Sequence, residues 1–494
     1  MTAQIADAVY CPDLDTRKIP GSIVDMSRWA PMQNGFYASS AIVDRWTVTS
    51  VATLAKTFPQ INTTVRFLVF SDNNIDEYSS TGTKTNRGTG YTTNLTWSAA
   101  QWGDQIIATN YVDAPQSSTG TTFTALSGSP PKARLVAANV NFVMLAGTND
   151  GSTAYADEVF WSGLRNPAAW TPSLATQCGR VRLLDAPGPI RQLVAFRDKF
   201  YAFKENSIFV GEYIGPPFIF QWRLVSSRIG AVGFWNQGVV ECNDRLYFAH
   251  TSGFYEFDGS QLVNVGVPVW RTILDTVGYA GTPKSGYTGV SPNEFRVAAD
   301  DVEGIVWLMG YIFDGTYWSP YAWGYNVHTK KWGAHGWNNY SADWVPFWVQ
   351  TTHTDMRTFF GSAANTGGRI WRVNNAVTTS KLQEIRYPEP WNVAGSFTTG
   401  LVGSGDESST VTGFQYRIVE GSSAAPFSDC TFYGYASETM LTNEQTATAT
   451  VNTDLERFDG VHDSRYHNAV VTGTVDKTCV LAGFGFETAL RAKR

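Results

Sequence analysis

Apolar residues along this chain fall in short runs of four to seven, rich in Val, Ile, Phe, Tyr and Trp, and Gly, Asn, Asp, Ser and Pro separate the runs. The three-and-four spacing of an amphipathic helix is nearly absent. β-Branched and aromatic side chains suit a pleated, half-buried surface, and the separators are turn formers, so the pattern predicts strands joined by turns. The clearest unit runs Ile190–Phe196, a turn at Arg197-Asp198, Lys199–Phe203, a turn at Glu205-Asn206, then Ser207–Tyr213 and Phe218–Leu224. The next runs Gln237–Cys242, a turn at Asn243-Asp244, Arg245–Ala249, Gly253–Gly259 and Gln261–Val265.

Related units can be drawn over Arg66–Asn110, Arg134–Trp170, Phe295–Trp332 and Phe347–Val373. Their second strands start near 105, 142, 199, 245, 305 and 357, a loose repeat in the range of four-stranded propeller blades. The expected fold is therefore all-β: a six-bladed β-propeller (five to seven blades fit the spacing) followed by a C-terminal antiparallel β-sandwich-like domain. A lone four-stranded sheet leaves both faces wet. Stacking sheets face to face around a closed ring buries both, and large flat rings fill the wedge between them. Most of the 18 Trp, 22 Tyr and 29 Phe are accordingly expected in the core.

The expected boundaries are an extended arm and first strand over 1–60, with that strand near Trp46-Thr-Val-Thr49, and a propeller over 61–377. A Ser/Thr/Gly-rich linker over 378–410 and the sandwich over 411–494 follow. The sandwich strands are read at Val411–Val419, Cys430–Tyr435, Thr446–Val451, Tyr466–Val471 and Val480–Phe486.

Composition narrows the class. With 43% hydrophobic and 16% charged residues, the chain has ample surface to bury and is neither disordered nor a coiled coil. No apolar run approaches the length of a membrane-spanning helix, and Met1-Thr-Ala-Gln-Ile-Ala-Asp7 lacks the basic and apolar regions of a signal peptide. A net charge of −6 without long basic runs disfavours a tight grip on nucleic acid. Cys11, Cys178, Cys242, Cys430 and Cys479 lie far apart with no C-x-x-C, which reads as reduced thiols in a protein folded in a cytosol.

Searching for chemistry leaves no catalytic, cofactor-binding or metal residue to assign. There is no G-x-S-x-G and no H-E-x-x-H. Gly281-Thr-Pro-Lys-Ser-Gly286 has its lysine before the second glycine and reads as a turn. Gly88-Thr-Gly90 and Gly483-Phe-Gly485 lack the third glycine of a dinucleotide site. His462-Asp463 with His467 is the best local metal cluster, yet it lacks a fourth ligand and falls in an expected hairpin. Asp258-Gly259 and Asp314-Gly315 follow aromatic strands and read as tight turns; a glycosidase would need two carboxylates at a set separation.

Two stretches carry a family resemblance. One is Phe196–Phe220, running on through Ser227-Arg-Ile-Gly-Ala-Val-Gly233 to Gly253–Ser260. The other is Arg457-Phe-Asp-Gly-Val-His-Asp-Ser-Arg-Tyr466 with the Gly483–Phe486 strand and the basic tail. Together they resemble the tail nozzle or tail-hub structural proteins of short-tailed bacteriophages. The resemblance implies a non-enzymatic virion protein, made in the host bacterial cytoplasm and placed in the virion tail. It would form a homo-hexameric ring that contacts a tail adaptor ring and tail fibre or spike proteins. Genomic DNA would be held in, then ejected through, the ring of subunits without specific binding, and no cofactor is implied. Six chains carry 6 × (−6) = −36 formal charges, which suits a conduit for DNA, since a basic lumen would stall it.

Two alternatives stand beside this reading. A propeller glycan hydrolase or depolymerase would need convergent Asp and Glu at the propeller mouth. A receptor-binding adhesion module would stack sugars on exposed aromatics such as Trp332, Trp337 or Trp344.

Overall fold

The computed structural model describes residues 6–38, 43–48, 52–93, 96–276, 295–313, 318–336, 346–348, 368–374, 380–387, 393–403, 409–418, 427–435, 445–448, 450–452, 457–475 and 480–490. Among the described residues, seven antiparallel four-stranded sheets follow one another along the chain. Six are contiguous, beginning with Ala52–Pro59, Ser98–Trp102, Lys132–Ala138, Gln192–Phe196, Val239–Cys242 and Arg296–Asp300. These first strands pack beside one another around a central axis, which makes them the inner strands of blades 1 to 6. The chain is a β-propeller.

Blade 7 takes its inner three strands from Pro346–Trp348, Gly368–Asn374 and Ser380–Tyr387, and its outer strand, Val43–Val48, from near the N-terminus. The ring closes where Trp46 and Val48 of that strand pack on Phe67 and Tyr78 of blade 1. The Trp46 and Tyr78 rings stack there at 5.7 Å and 2°. Aromatic and aliphatic clusters fill the wedges between successive blades, as the flat-ring argument requires: Phe58, Phe70 and Trp97 between blades 1 and 2; Phe142, Trp161, Phe200 and Phe220 between 3 and 4; Phe203 and Phe248 between 4 and 5.

Among the described residues the blade count is seven, the upper end of the five to seven expected, where six were drawn. The unit read as Arg66–Asn110 is parts of two blades. The outer strand of blade 1, Lys84–Thr89, carries no apolar residue and is largely exposed, and blade 2 ends in Gln116–Ser118 and Thr124–Ala125, short and polar. With those strands silent in the hydrophobic pattern, two blades merge into one. The second strand of blade 7 begins at Gly368; the position expected for it near 357 lies outside the described residues.

The expected boundaries shift too. Residues read as an extended arm supply strands Ala6–Asp7, Val9–Tyr10, Ser22–Ser27, Trp29–Met32 and Gly35–Ala38 to the sandwich. Met26 pairs with Phe397, Leu481 with Phe36, and Ala6 with Phe484. The segment read as a linker holds Ser380–Tyr387 of blade 7 and Val393–Thr399 of the sandwich. The sandwich is thus two seven-stranded sheets, each woven from both ends of the chain.

It is fastened to the propeller side of blades 5 and 6. One apolar cluster joins Trp29, Phe36, Phe397 and Phe414 of the sandwich to Tyr247, Phe254, Trp323 and Trp332 of the blades. Asn326 donates to the Pro31 carbonyl at 3.1 Å. The carboxylate of Asp13 accepts the Arg271 and Thr272 amides, at 2.6 and 3.0 Å, in the helix Trp270–Thr276. Among the described residues no helix is long and apolar enough to cross a membrane.

Four cysteines, Cys11, Cys178, Cys242 and Cys430, are buried free thiols. Burial pushes Cys11 and Cys178 up to about 11 and raises Cys242 and Cys430 as well. At pH 8 a thiol of that pKa is about one part in a thousand thiolate, the reactive form. Ellman's reagent at pH 8 should therefore find at most one fast thiol per native chain, Cys479 lying outside the described residues. Two or more would contradict the packing.

Candidate functional site

The axis of a propeller is where its inner strands expose unpaired edge groups and where ligands of this fold class have room. Here the inner strands of blades 1 to 5 surround a channel of about 260 Å³. Small residues such as Ala99, Ala100, Ala137 and Ala195 leave it open, and Lys56, Gln101, Asn236 and Glu241 give it polar groups. Glu241 lines the channel and is partly enclosed by protein. That partial burial, with Asp301 and Asp244 nearby, raises its pKa. Lys56 extends toward the Ala99 carbonyl at 3.4 Å.

One mouth of the channel is shut by the chain itself. Between blades 4 and 5 the segment Phe234–Gly238 crosses the end at which the inner strands begin. Gln237 Nε2 donates to the Thr53 carbonyl of blade 1 at 2.8 Å, and Asn236 Nδ2 to Ser98 Oγ of blade 2 at 2.8 Å. In a ring of seven, blades 1 and 2 stand opposite blade 5, so these bonds span the axis. Further bonds tie the plug on its own side. Gln192 Nε2 reaches the Phe234 carbonyl at 2.7 Å, Arg296 Nε reaches Gln237 Oε1 at 2.9 Å, and the Val297 amide meets the Gln237 carbonyl at 2.9 Å.

Gly233 lets the segment turn inward. Its φ is +129°, and a Cβ there would lie 2.8 Å from Gly238 Cα and 2.9 Å from the Phe295 carbonyl oxygen. Aromatic rings on the plug carry arginines: Arg296 lies 3.8 Å from the Phe234 ring, and Arg134 and Arg191 each lie 5.1 Å from Trp235. Replacing Gln237 by Leu keeps the volume but removes the acceptor of Arg296 Nε, a fully buried guanidinium. A loss of about 3 kcal/mol is expected, read as a lower denaturation midpoint; an unchanged midpoint would mean the plug is not held as the geometry indicates.

The residues singled out in the sequence fall elsewhere. Trp332 is buried, donates Nε1 to the Val265 carbonyl at 2.8 Å and packs on Phe254 and Tyr325, so it is blade core and not a sugar platform. Trp337, Trp344, Asp314-Gly315 and Gly281–Gly286 lie outside the described residues. Asp258 Oδ1 accepts the Ser260 and Gln261 amides at 2.8 and 2.7 Å, the bonding of a turn. The expected hairpin at 462–467 is instead a crossing. Strand Arg457–Ser464 belongs to one sheet of the sandwich and Tyr466–Val475 to the other, so His462 and His467 sit on strands of different sheets. The plug and Glu241 escaped sequence reasoning, because Asn, Gln and Glu in short connections look like any solvated turn. The only cue is the glycine-punctuated Ile229-Gly-Ala-Val-Gly233.

No protein-family model matches this chain, and no curated protein does. Among solved structures, the chain is similar to YCF48 bound to a D1 peptide. That match has 12% identity and a TM-score of 0.38, and covers 75% of this chain and 99% of that one. It is also similar to selenomethionine-substituted virginiamycin B lyase from Staphylococcus aureus, at 9% identity, TM-score 0.42, and 70% and 99% coverage. Similarities this loose say nothing of function, and the propeller assignment rests on the seven sheets themselves.

Proposed function

We propose that the chain is a non-enzymatic structural subunit of the tail nozzle or hub of a short-tailed bacteriophage, working in a homo-hexameric ring through whose shared lumen genomic DNA leaves the particle. The observation that carries this reading is the plug. The axial channel, where a propeller that processes a substrate would receive it, is closed at one mouth by five residues bonded to opposite sides of the ring. With that mouth closed, this reading rests on outer surface and shape. A sandwich laced from both chain ends and fastened to blades 5 and 6 makes a stiff two-part block suited to lateral assembly. The resemblance of Phe196–Ser260 and Arg457–Phe486 to nozzle proteins points the same way, as does the formal charge of −6.

The reading is tested on the phage that encodes the chain. Purified particles should contain it, and the chain mixed with the adaptor ring should give a six-fold assembly by native mass spectrometry and negative-stain imaging. Its absence from the particles would end the proposal.

A glycan-hydrolase reading has one observation in its favour, the raised carboxyl of Glu241 in the open end of the channel. Release of reducing sugar from host polysaccharide, lost in Glu241→Gln, would replace the structural reading with this one.

A further inference from the structure

Several arginines among the described residues hold carboxylates. Arg66 and Arg87 share Glu77, Arg182 meets Asp157, and Arg197 meets Asp244. Arg134 and Arg191, at the plugged mouth, form none of these pairs. Among the described residues neither guanidinium meets a carboxylate, and Arg191 Nε is buried without a hydrogen-bond partner. Both are half-buried, and both lean on the same indole. Each guanidinium carbon is 5.1 Å from the Trp235 ring centroid, so the two are no more than 10.2 Å (twice 5.1 Å) apart. Arg134 also lies over Tyr111 at 3.9 Å. Asp113, two residues beyond Tyr111, is already taken by the Thr92 amide and hydroxyl and by Asn110 Nδ2.

Two like charges within 10.2 Å of each other repel, and a buried donor without an acceptor costs free energy. Ring faces stabilise the flat sides of the guanidinium groups but leave their N–H edges unspent. Those edges suit an oxyanion, which guanidinium groups bind through paired N–H donors. Charge selects among oxyanions: two guanidinium groups balance a dianion, whereas a single carboxylate leaves one positive charge over.

We propose that Arg134 and Arg191, positioned by Trp235 at the closed mouth of the propeller, form a binding site for a dianionic phosphate group, either free phosphate or a phosphomonoester. The site stands whether or not the chain is a nozzle subunit, because it rests only on this mouth of the propeller.

Isothermal titration of the full chain with inorganic phosphate at low ionic strength should show one saturable site. Arg134→Gln and Arg191→Gln should each weaken it at least about tenfold. Arg223→Gln, which removes a residue near Glu212 far out on blade 4, should not. Phenyl phosphate binding as well as inorganic phosphate identifies the monoester as a ligand, and binding of phosphate alone assigns the site to the free ion; both support the proposal. Since either glutamine variant also unloads Trp235, a readout on the unaltered protein is added. The ³¹P line of phosphate should broaden with protein and sharpen again with sulfate, but not with chloride at equal ionic strength. No saturable phosphate binding below about 10 mM, equal binding by both variants, or binding of an oligonucleotide without binding of either small phosphate would overturn it.

Discussion

A chain lacking residues 1–48 should yield no soluble folded protein. The deletion removes the outer strand of blade 7, Val43–Val48, and with it the strand that latches the last blade to the first. It also takes the N-terminal strands out of both sheets of the sandwich. Tyr10, Ile23, Met26, Trp29 and Phe36 are all buried there. At roughly 1.5–3 kcal/mol for each large buried side chain, their loss alone is comparable with the roughly 5–15 kcal/mol that holds a typical domain folded. The measurement is the soluble yield together with near-ultraviolet circular dichroism. A monodisperse product with the intact chain's aromatic signal would show that the N-terminal strands are dispensable trim.

Trp29→Ala should cost about 3–5 kcal/mol, the range for emptying a buried aromatic site. Trp29 is fully buried where the sandwich meets the propeller, its Nε1 donates to the Ser396 carbonyl at 3.2 Å, and its ring lies 6.1 Å from Phe427. Neighbouring backbone offers no room to collapse around the gap, since a Cβ on Gly333 would already lie 2.7 Å from the Trp29 carbonyl oxygen. Phe218→Ala provides the contrast. Phe218 is 75% exposed on the outer turn of blade 4, and its loss should stay within about 0.5 kcal/mol. Urea melts of the two variants decide it, and similar midpoints would refute the assignment of Trp29 to the joint between the two parts.

Blades 4 and 5 were legible because their first turns, Arg197-Asp198 and Asn243-Asp244, separate strands of clear apolar character. In the structure Asn243 and Asp244 take φ of 51° and 58°, the conformation of a tight hairpin turn. Blade 1 was lost because its outer strand, Lys84–Thr89, has one edge and both flanks in water and therefore needs no apolar residue. The sandwich was half legible. Alternation in Val480–Phe486 marks a buried face, but the partners of that strand include Ala6 and Phe36, and no local pattern encodes a pairing across more than four hundred residues. Length and polarity misled over 378–410, where Ser396 and Thr398 of Val393–Thr399 serve as strand residues facing Thr472 and Val470 across the sheet. The plug was invisible for a different reason. Asn236 and Gln237 matter through what stands opposite them on the ring, and only a closed ring brings Thr53 and Ser98 within reach.

Lacing Ala6 to Phe484 has a consequence for biosynthesis. At about 5–20 residues per second, the first sandwich strands leave the ribosome roughly 25–100 s before their partners exist. Throughout that wait Met26, Trp29 and Phe36 have no native cover, and the seventh blade cannot be completed before the chain has passed Tyr387. The nascent chain is therefore a client for holding chaperones until the final strand emerges, and a polypeptide released early would carry its stickiest segment permanently unshielded.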